Sequence, residues 1–393
     1  MTRLRTPTAQ VVMAPPAPAP AAPRFPRPSR LHRLRSSDSI SSGRGHRPEV
    51  AALRVLALAS VVVYHYWPTA LPGGFVGVDV FFVISGFLIT SHVIREIDET
   101  GRLRLRRFWL RRAARLLPSA LTVVATVSLV APLVLPVIDR DQTAVQQLSS
   151  VLLVQNWALL LQSVDYLTAG AAPTALEHYW SLSAEEQFYA LWPLALAGAA
   201  AAGRVARVDR RRMLGVVLVL IVASLALSVQ MTQAAPGAAY FNTFVRAWEF
   251  LGGALLCFLP QPGAKGRRAL VLLGSGLLAT ALVVITPDLA FPGWLAAVPV
   301  VGAMLVIAAG SPAPGSATAR VCASAVVDWI ATRSYAIYLW HWPVLVFAPA
   351  VVGGSGAPRP LSAVSLLIVL AVALVLAEAT HRLVERRFRM VER

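Results

Sequence analysis

Apolar windows recur along most of the chain, near residues 50–67, 75–94, 117–138, 144–162, 182–202, 214–231, 242–259, 268–286, 294–309, 331–351 and 361–380. Most approach the roughly 20 residues that a helix needs to cross a hydrocarbon core about 30 Å thick. Between them stand arginine-rich segments: REIDETGRLRLRRFWLRRAAR at 95–115, GRVARVDRRR at 203–212, PGAKGRR at 262–268 and HRLVERRFRMVER at 381–393. The positive-inside rule assigns all four, with the basic N-terminal segment, to the cytoplasmic face. Eleven crossings cannot satisfy that assignment. Parity fails between 95–115 and 203–212, which three windows separate although an even number of crossings must join them. Of the three, 144–162 carries Gln146, Gln147, Ser149, Ser150, Gln155 and Asn156, the costliest set to place in hydrocarbon. It is read as a re-entrant or interfacial helix on the outer side. The pattern therefore predicts an all-α polytopic membrane helix bundle, with about ten transmembrane helices, one re-entrant or interfacial helix and both termini cytoplasmic. No internal repeat of the kind common in secondary transporters is visible.

Composition sharpens this picture. A hydrophobic content of 56% and a mean hydropathy of +0.63 over 393 residues exclude a soluble domain. The formal charge of +17 raises nucleic acid as a partner, but the arginines flank apolar runs, where they set orientation instead. No nucleic-acid partner is expected. Residues 1–46, rich in Pro, Ser, Ala and Arg, have the composition of a disordered basic cytoplasmic tail. The membrane domain is placed at 47–385 and a second basic tail at 386–393. HExxH, CxxC, P-loop and GxSxG patterns are absent, so no metal site is expected and the chemistry must rest on scattered membrane residues.

Those residues sort by expected depth. Arg54 and His65 lie eleven positions apart on one predicted helix, which brings them to within about 20° of one face and separates them by roughly 16 Å. An arginine at the depth of Arg54 is costly unless paired, and anchoring does not require it. Arg112 and Arg115 share a face at i, i+3, suited to a multiply charged phosphate or to a positive-inside anchor. Arg333, entering the ninth span, falls on the same side. Toward the outside lie His65, Asp79, Glu185 and Glu186, types suited to proton transfer. Asp79 at the depth of His65 either orients the imidazole or caps its own helix; Glu185 and Glu186 suit a helix N-terminus but exceed what a cap needs. Arg246 and Glu249 form an i, i+3 pair. A bond to a nearby backbone carbonyl accounts for His341 more simply than catalysis does.

Six stretches in order, RPEVAALRVLALASVVVYH, GGFVGVDVFFVISGFLIT, FWLRRAARLLP, HYWSLSAEEQFYALWP, RAWEFLGGALL and SYAIYLWHWPVL, with LVERRFR after them, resemble the acyltransferase 3 family of integral membrane O-acyltransferases. The resemblance runs from residue 47 to about residue 389. It implies a cell-membrane enzyme using acyl-CoA, usually acetyl-CoA, from the cytoplasm and a hydroxyl acceptor, commonly a cell-surface sugar or glycan. The family's arginine and histidine of the first span fall on Arg54 and His65, and its paired arginines on Arg112 and Arg115. The expected mechanism has Arg112 and Arg115, aided by Arg54 and Arg333, holding the CoA phosphates. His65, oriented by Asp79, Glu185 or Glu186, deprotonates the acceptor. The domain is expected to act alone or with a separate extracytoplasmic acyl-relay protein; some family members acylate macrolides. The rival reading is a transporter of an anionic solute or lipid-linked sugar, which would not consume acyl-CoA.

Overall fold

The computed structural model describes residues 47–135, 140–164, 174–202, 210–260, 262–353 and 361–390. The tail expected at 1–46 and residues 391–393 lie outside them. The helices run α1 Pro48–Tyr66, α2 Gly77–Thr100, α3 Leu105–Val134, α4 Arg140–Val151, α5 Gln155–Val164, α6 Tyr179–Ala202, α7 Arg210–Ala234 and α8 Pro236–Phe241. They continue with α9 Thr243–Leu255, α10 Ala264–Val284, α11 Ala297–Ala309, α12 Ala317–Cys322, α13 Ala325–Gly353 and α14 Ala363–Thr380. A π-helical turn His381–Glu385 then leads into α15 Arg386–Met390. Helix thus occupies each of the ten windows expected to span. Seven of these elements are long and apolar enough to cross a membrane, so the chain is a multi-pass membrane protein.

The window 144–162 is not one helix. Leu153 takes a left-handed backbone conformation, φ 59°, and separates α4 from α5. Their 12 and 10 residues reach only roughly 18 and 15 Å, too short for a core of about 30 Å. The polar groups of the window turn inward. Asn156 donates to the Phe241 carbonyl at 3.1 Å and to Thr243 Oγ1 at 2.9 Å. Gln187 of α6 donates to the Leu153 carbonyl and to Asn156 Oδ1, each at 2.9 Å. Asn156, one of the side chains that made this stretch unsuitable for lipid, is thereby satisfied against α6, α8 and α9.

α2 is the central element. Of its most apolar 18-residue window 83% is buried, against 17% for α7 and 17% for α10. α1, α9 and α11 pack on α2, and α13 packs on α1 and α14. Peripheral helices present Val219, Val222, Leu272 and Ile368 outward, as a lipid-facing surface requires, while charged groups such as Arg246, Asp79 and Glu249 are buried.

The α2–α9 contact is made backbone to backbone. A Cβ at Gly86 would lie 1.8 Å from the Phe250 carbonyl oxygen, and one at Gly253 would lie 1.9 Å from the Val83 carbonyl oxygen. Only glycine lets these helices meet so closely. Gly253→Ala is therefore expected to destabilise the bundle by about 1–3 kcal/mol, the usual cost of overpacking. Gly276→Ala, where a Cβ meets nothing within 4 Å, should be neutral. Thermal unfolding in detergent checks both; equal melting temperatures for the two variants would contradict the packing argument.

Candidate active site

His65 occupies the last turn of α1 and is partly buried. Its Nδ1 lies 3.0 Å from Nε2 of His341 on α13, with the two ring planes within 12° of parallel and the ring centroids 5.2 Å apart. The indole of Trp342 closes over His65, ring centroids 4.4 Å apart. His341 is fully buried, and its Nδ1 is 2.6 Å from the carbonyl of Tyr338, one turn earlier. The carbonyl contact anticipated for His341 is present, and its other nitrogen meets His65.

Pro343 explains part of this arrangement. Proline has no N–H, so the carbonyl four residues earlier, that of Leu339, loses its helical partner. His178 takes the vacancy, Nε2 to the Leu339 carbonyl at 3.2 Å, and sets its ring edge-on to His341 at 5.6 Å. Among the described residues no three His, Cys, Asp or Glu side chains converge as a metal site.

At the other end of α1, Arg54 lines a cavity of about 460 Å³ together with Arg95, Arg111, Arg112 and Arg115. Glu185 and Glu385 are the acidic residues of the lining. Five arginines against two glutamates leave the chamber positive, which favours a polyanionic ligand. Arg112 is held by Glu185, Nη2 to Oε1 at 3.3 Å, and by Glu186, Nε to Oε1 at 3.5 Å. Its guanidinium lies 3.2 Å over the ring of Tyr189. Glu185 also accepts from Ser85 Oγ at 2.6 Å and from the Tyr189 hydroxyl.

The inner wall includes Phe81, Ser181 and Tyr338. The Tyr338 hydroxyl lies 2.7 Å from Ser181 Oγ and donates to the His178 carbonyl at 3.1 Å. Tyr338 thus touches both parts of the site: its ring borders the arginine chamber and its own carbonyl meets His341.

Three placements differ from the sequence-based expectations. Asp79 does not orient His65. It is fully buried against Arg246, Oδ1 to Nη2 at 3.0 Å, while Arg246 Nε also meets Glu249 Oε1 at 2.9 Å. Phe82, Trp180, Tyr240 and Phe291 surround that guanidinium. The i, i+3 pair expected on α9 therefore carries a third member from α2. Glu185 and Glu186 do not reach His65 either. α6 begins at Tyr179, so they stand about two turns along it, and they meet Arg112 instead of lying near the outer surface. Arg333 is not part of the chamber, although its neighbours Thr332 and Ser334 are. It faces α14, where Glu378 binds it through Nε and, at 3.2 Å, through Nη2, with Trp329 beneath. Arg54, Arg112 and Arg115 are brought together as expected. The histidine cluster was the part missed: His178 stands in HYW and His341 in WHWP, and the proline after His341 was the available sign of an interrupted helix.

Comparison with known proteins decides the family. Residues 47–378 match the family described as Acyltransferase domain. The chain belongs to that family. This acyltransferase-family chain is 30% identical over 320 residues to the peptidoglycan O-acetyltransferase OatA of Listeria monocytogenes, a match covering 78% of this chain and 51% of that protein. It is 31% identical over 323 residues to the putative peptidoglycan O-acetyltransferase YrhL of Bacillus subtilis, covering 77% and 49%. The O-acetyltransferase OatA of Staphylococcus aureus is 29% identical over 360 residues, covering 87% and 57%. The chain spans about half the length of these relatives. No solved structure matches it.

The Arg246 cluster generates a stability prediction. Arg246→Met leaves two carboxylates fully buried without their cation, a loss expected to cost about 3–5 kcal/mol. The variant should give little folded protein in membranes, measured by yield after detergent extraction and by melting temperature. A variant as stable as the parent would show that the cluster is not a supporting element.

Proposed function

We propose that this chain transfers an acyl group, acetyl in the first instance, from acyl-CoA to a hydroxyl of a cell-surface glycan of the peptidoglycan kind. The observation that carries the reading is the join at Tyr338. An arginine chamber suited to the phosphates of a CoA ends on the same residue whose carbonyl meets the histidine pair. The chamber's volume lies within the range of roughly 300–1,000 Å³ usual for small-molecule sites. The names of the relatives support acetyl transfer to peptidoglycan.

In this mechanism Arg54, Arg112 and Arg115 bind phosphate oxygens, and Glu185 with Glu186 hold Arg112 in place. The basic segments favour the arginine end facing the cytoplasm. His65 takes the hydroxyl proton of the acceptor as its oxygen bonds to the acyl carbon. The carbon–sulfur bond breaks, and His65 returns the proton to the departing thiolate. Both partners leave neutral at sulfur and oxygen, and the enzyme is restored.

Inverted membrane vesicles from producing cells, whose endogenous glycan is the acceptor, test this with labelled acetyl-CoA. Label should enter alkali-labile product, with release of free CoA thiol. His65→Ala is expected to lower the rate by at least about 10²-fold, the contribution of a general base. Arg112→Ala should raise KM for acetyl-CoA about tenfold or more, the equivalent of a hydrogen bond to a charged group. Solute movement without consumption of acetyl-CoA would favour a transporter, and His65→Ala at the parental rate would remove the mechanism.

A further inference from the structure

We infer that His341 is a positioning residue that fixes the tautomer of His65 and steadies the charge His65 acquires; this rests on the reading of His65 as the base. The argument follows the hydrogens. The Tyr338 carbonyl can only accept, so the His341 nitrogen 2.6 Å from it, Nδ1, carries a hydrogen. His341 is fully buried, beside two other imidazoles, and no carboxylate is among its described partners. A charge there would be uncompensated, so the ring is neutral.

A neutral ring protonated at Nδ1 presents a lone pair at Nε2. That lone pair faces His65 Nδ1 at 3.0 Å. His65 Nδ1 must then be the donor, and the lone pair of His65 is left on Nε2. The chain Tyr338 carbonyl, His341, His65 has one consistent direction, and it ends in a free base.

The same contact acts during transfer. When the acceptor's proton moves to His65 Nε2, the ring becomes an imidazolium, and its Nδ1–H bond to His341 becomes charge-assisted, roughly twice as strong as a neutral one. The Nδ1 hydrogen stays where it is; only the Nε2 proton comes and goes, from the acceptor oxygen and on to the thiolate sulfur. This is the orienting part that a carboxylate plays in other triads, performed without a second buried charge. Tyr66 adds a brace, its hydroxyl donating to the His341 carbonyl at 3.0 Å, and His178 holds the Leu339 carbonyl that Pro343 releases.

Three variants in the vesicle assay separate the possibilities. His341→Leu fills the space without an acceptor and should lower kcat about 10²-fold or more, with KM for acetyl-CoA within about twofold of the parent. His341→Gln, whose Oε1 can accept from His65 Nδ1, should recover at least about tenfold of that loss. A packing role predicts the reverse order, with leucine the better substitute, and that order would overturn the inference. His65→Ala separates the two levels: if it is inactive while His341→Leu turns over normally, only the role of His341 falls. A readout independent of turnover is ¹⁵N solid-state NMR of histidine-labelled protein in bilayers, with His65 assigned by difference against His65→Ala. The resonance of His65 should report hydrogen on Nδ1; hydrogen on Nε2 alone would overturn the inference.

Discussion

The contact of α2 with α9 at Gly86 and Gly253 is the constraint on which the rest of the bundle depends. Two polypeptide backbones touch there with no side chain between them. That closeness lets Asp79 on α2 reach Arg246 on α9 and lets both be withdrawn from solvent together. Were the helices a side chain further apart, a guanidinium and two carboxylates would sit in a low-dielectric interior at distances where attraction no longer offsets desolvation. The apolar chain can hold so much buried charge because the glycines let the charges be paired before they are buried.

Interrupted helices supply the second theme. Pro343 releases the Leu339 carbonyl and His178 takes it; Pro193 releases the Tyr189 carbonyl, and the Trp109 indole takes that at 3.2 Å. In lipid an orphaned carbonyl is expensive, and these two prolines are answered by donors from elsewhere in the chain, His178 in the turn before α6 and Trp109 on α3. Both repairs lie at the site. One sets the histidine cluster beside His341, and the other ties α3, which carries Arg112, to α6, which carries the carboxylates that hold it. The irregularities thereby lock the two halves of the site to one another.

Between those halves stands Tyr338. Its hydroxyl is engaged with Ser181 and the His178 carbonyl, and its ring borders the arginine chamber. The chamber concentrates positive charge, while the histidine cluster contains no carboxylate among its described hydrogen-bond partners. In the proposed mechanism, binding of an anion and movement of a proton fall in separate regions with different electrostatics, joined through one side chain and its own backbone.

What the chain determined by itself was local. Hydropathy marked the helical windows, the polar content of 144–162 separated it from the others, and spacing along a helix put Arg112 with Arg115 and Arg246 with Glu249, since neighbours three apart on a helix share a face whatever surrounds them. Arg54 and Arg112 meeting in one chamber also followed from expected depth. The choice of partner across long separations was decided only by tertiary packing. His65 pairs with a histidine 276 positions away, Asp79 with an arginine 167 away, and Arg333 turns from the chamber to Glu378. Depth alone made Asp79 and His65 neighbours, and depth says nothing of azimuth: which face of each helix meets which other helix depends on glycine contacts and proline breaks summed over the whole bundle. Glu185 and Glu186 show the same limit: with the helix starting at Tyr179 they stand about two turns along α6, where they meet Arg112 and not the expected outer surface.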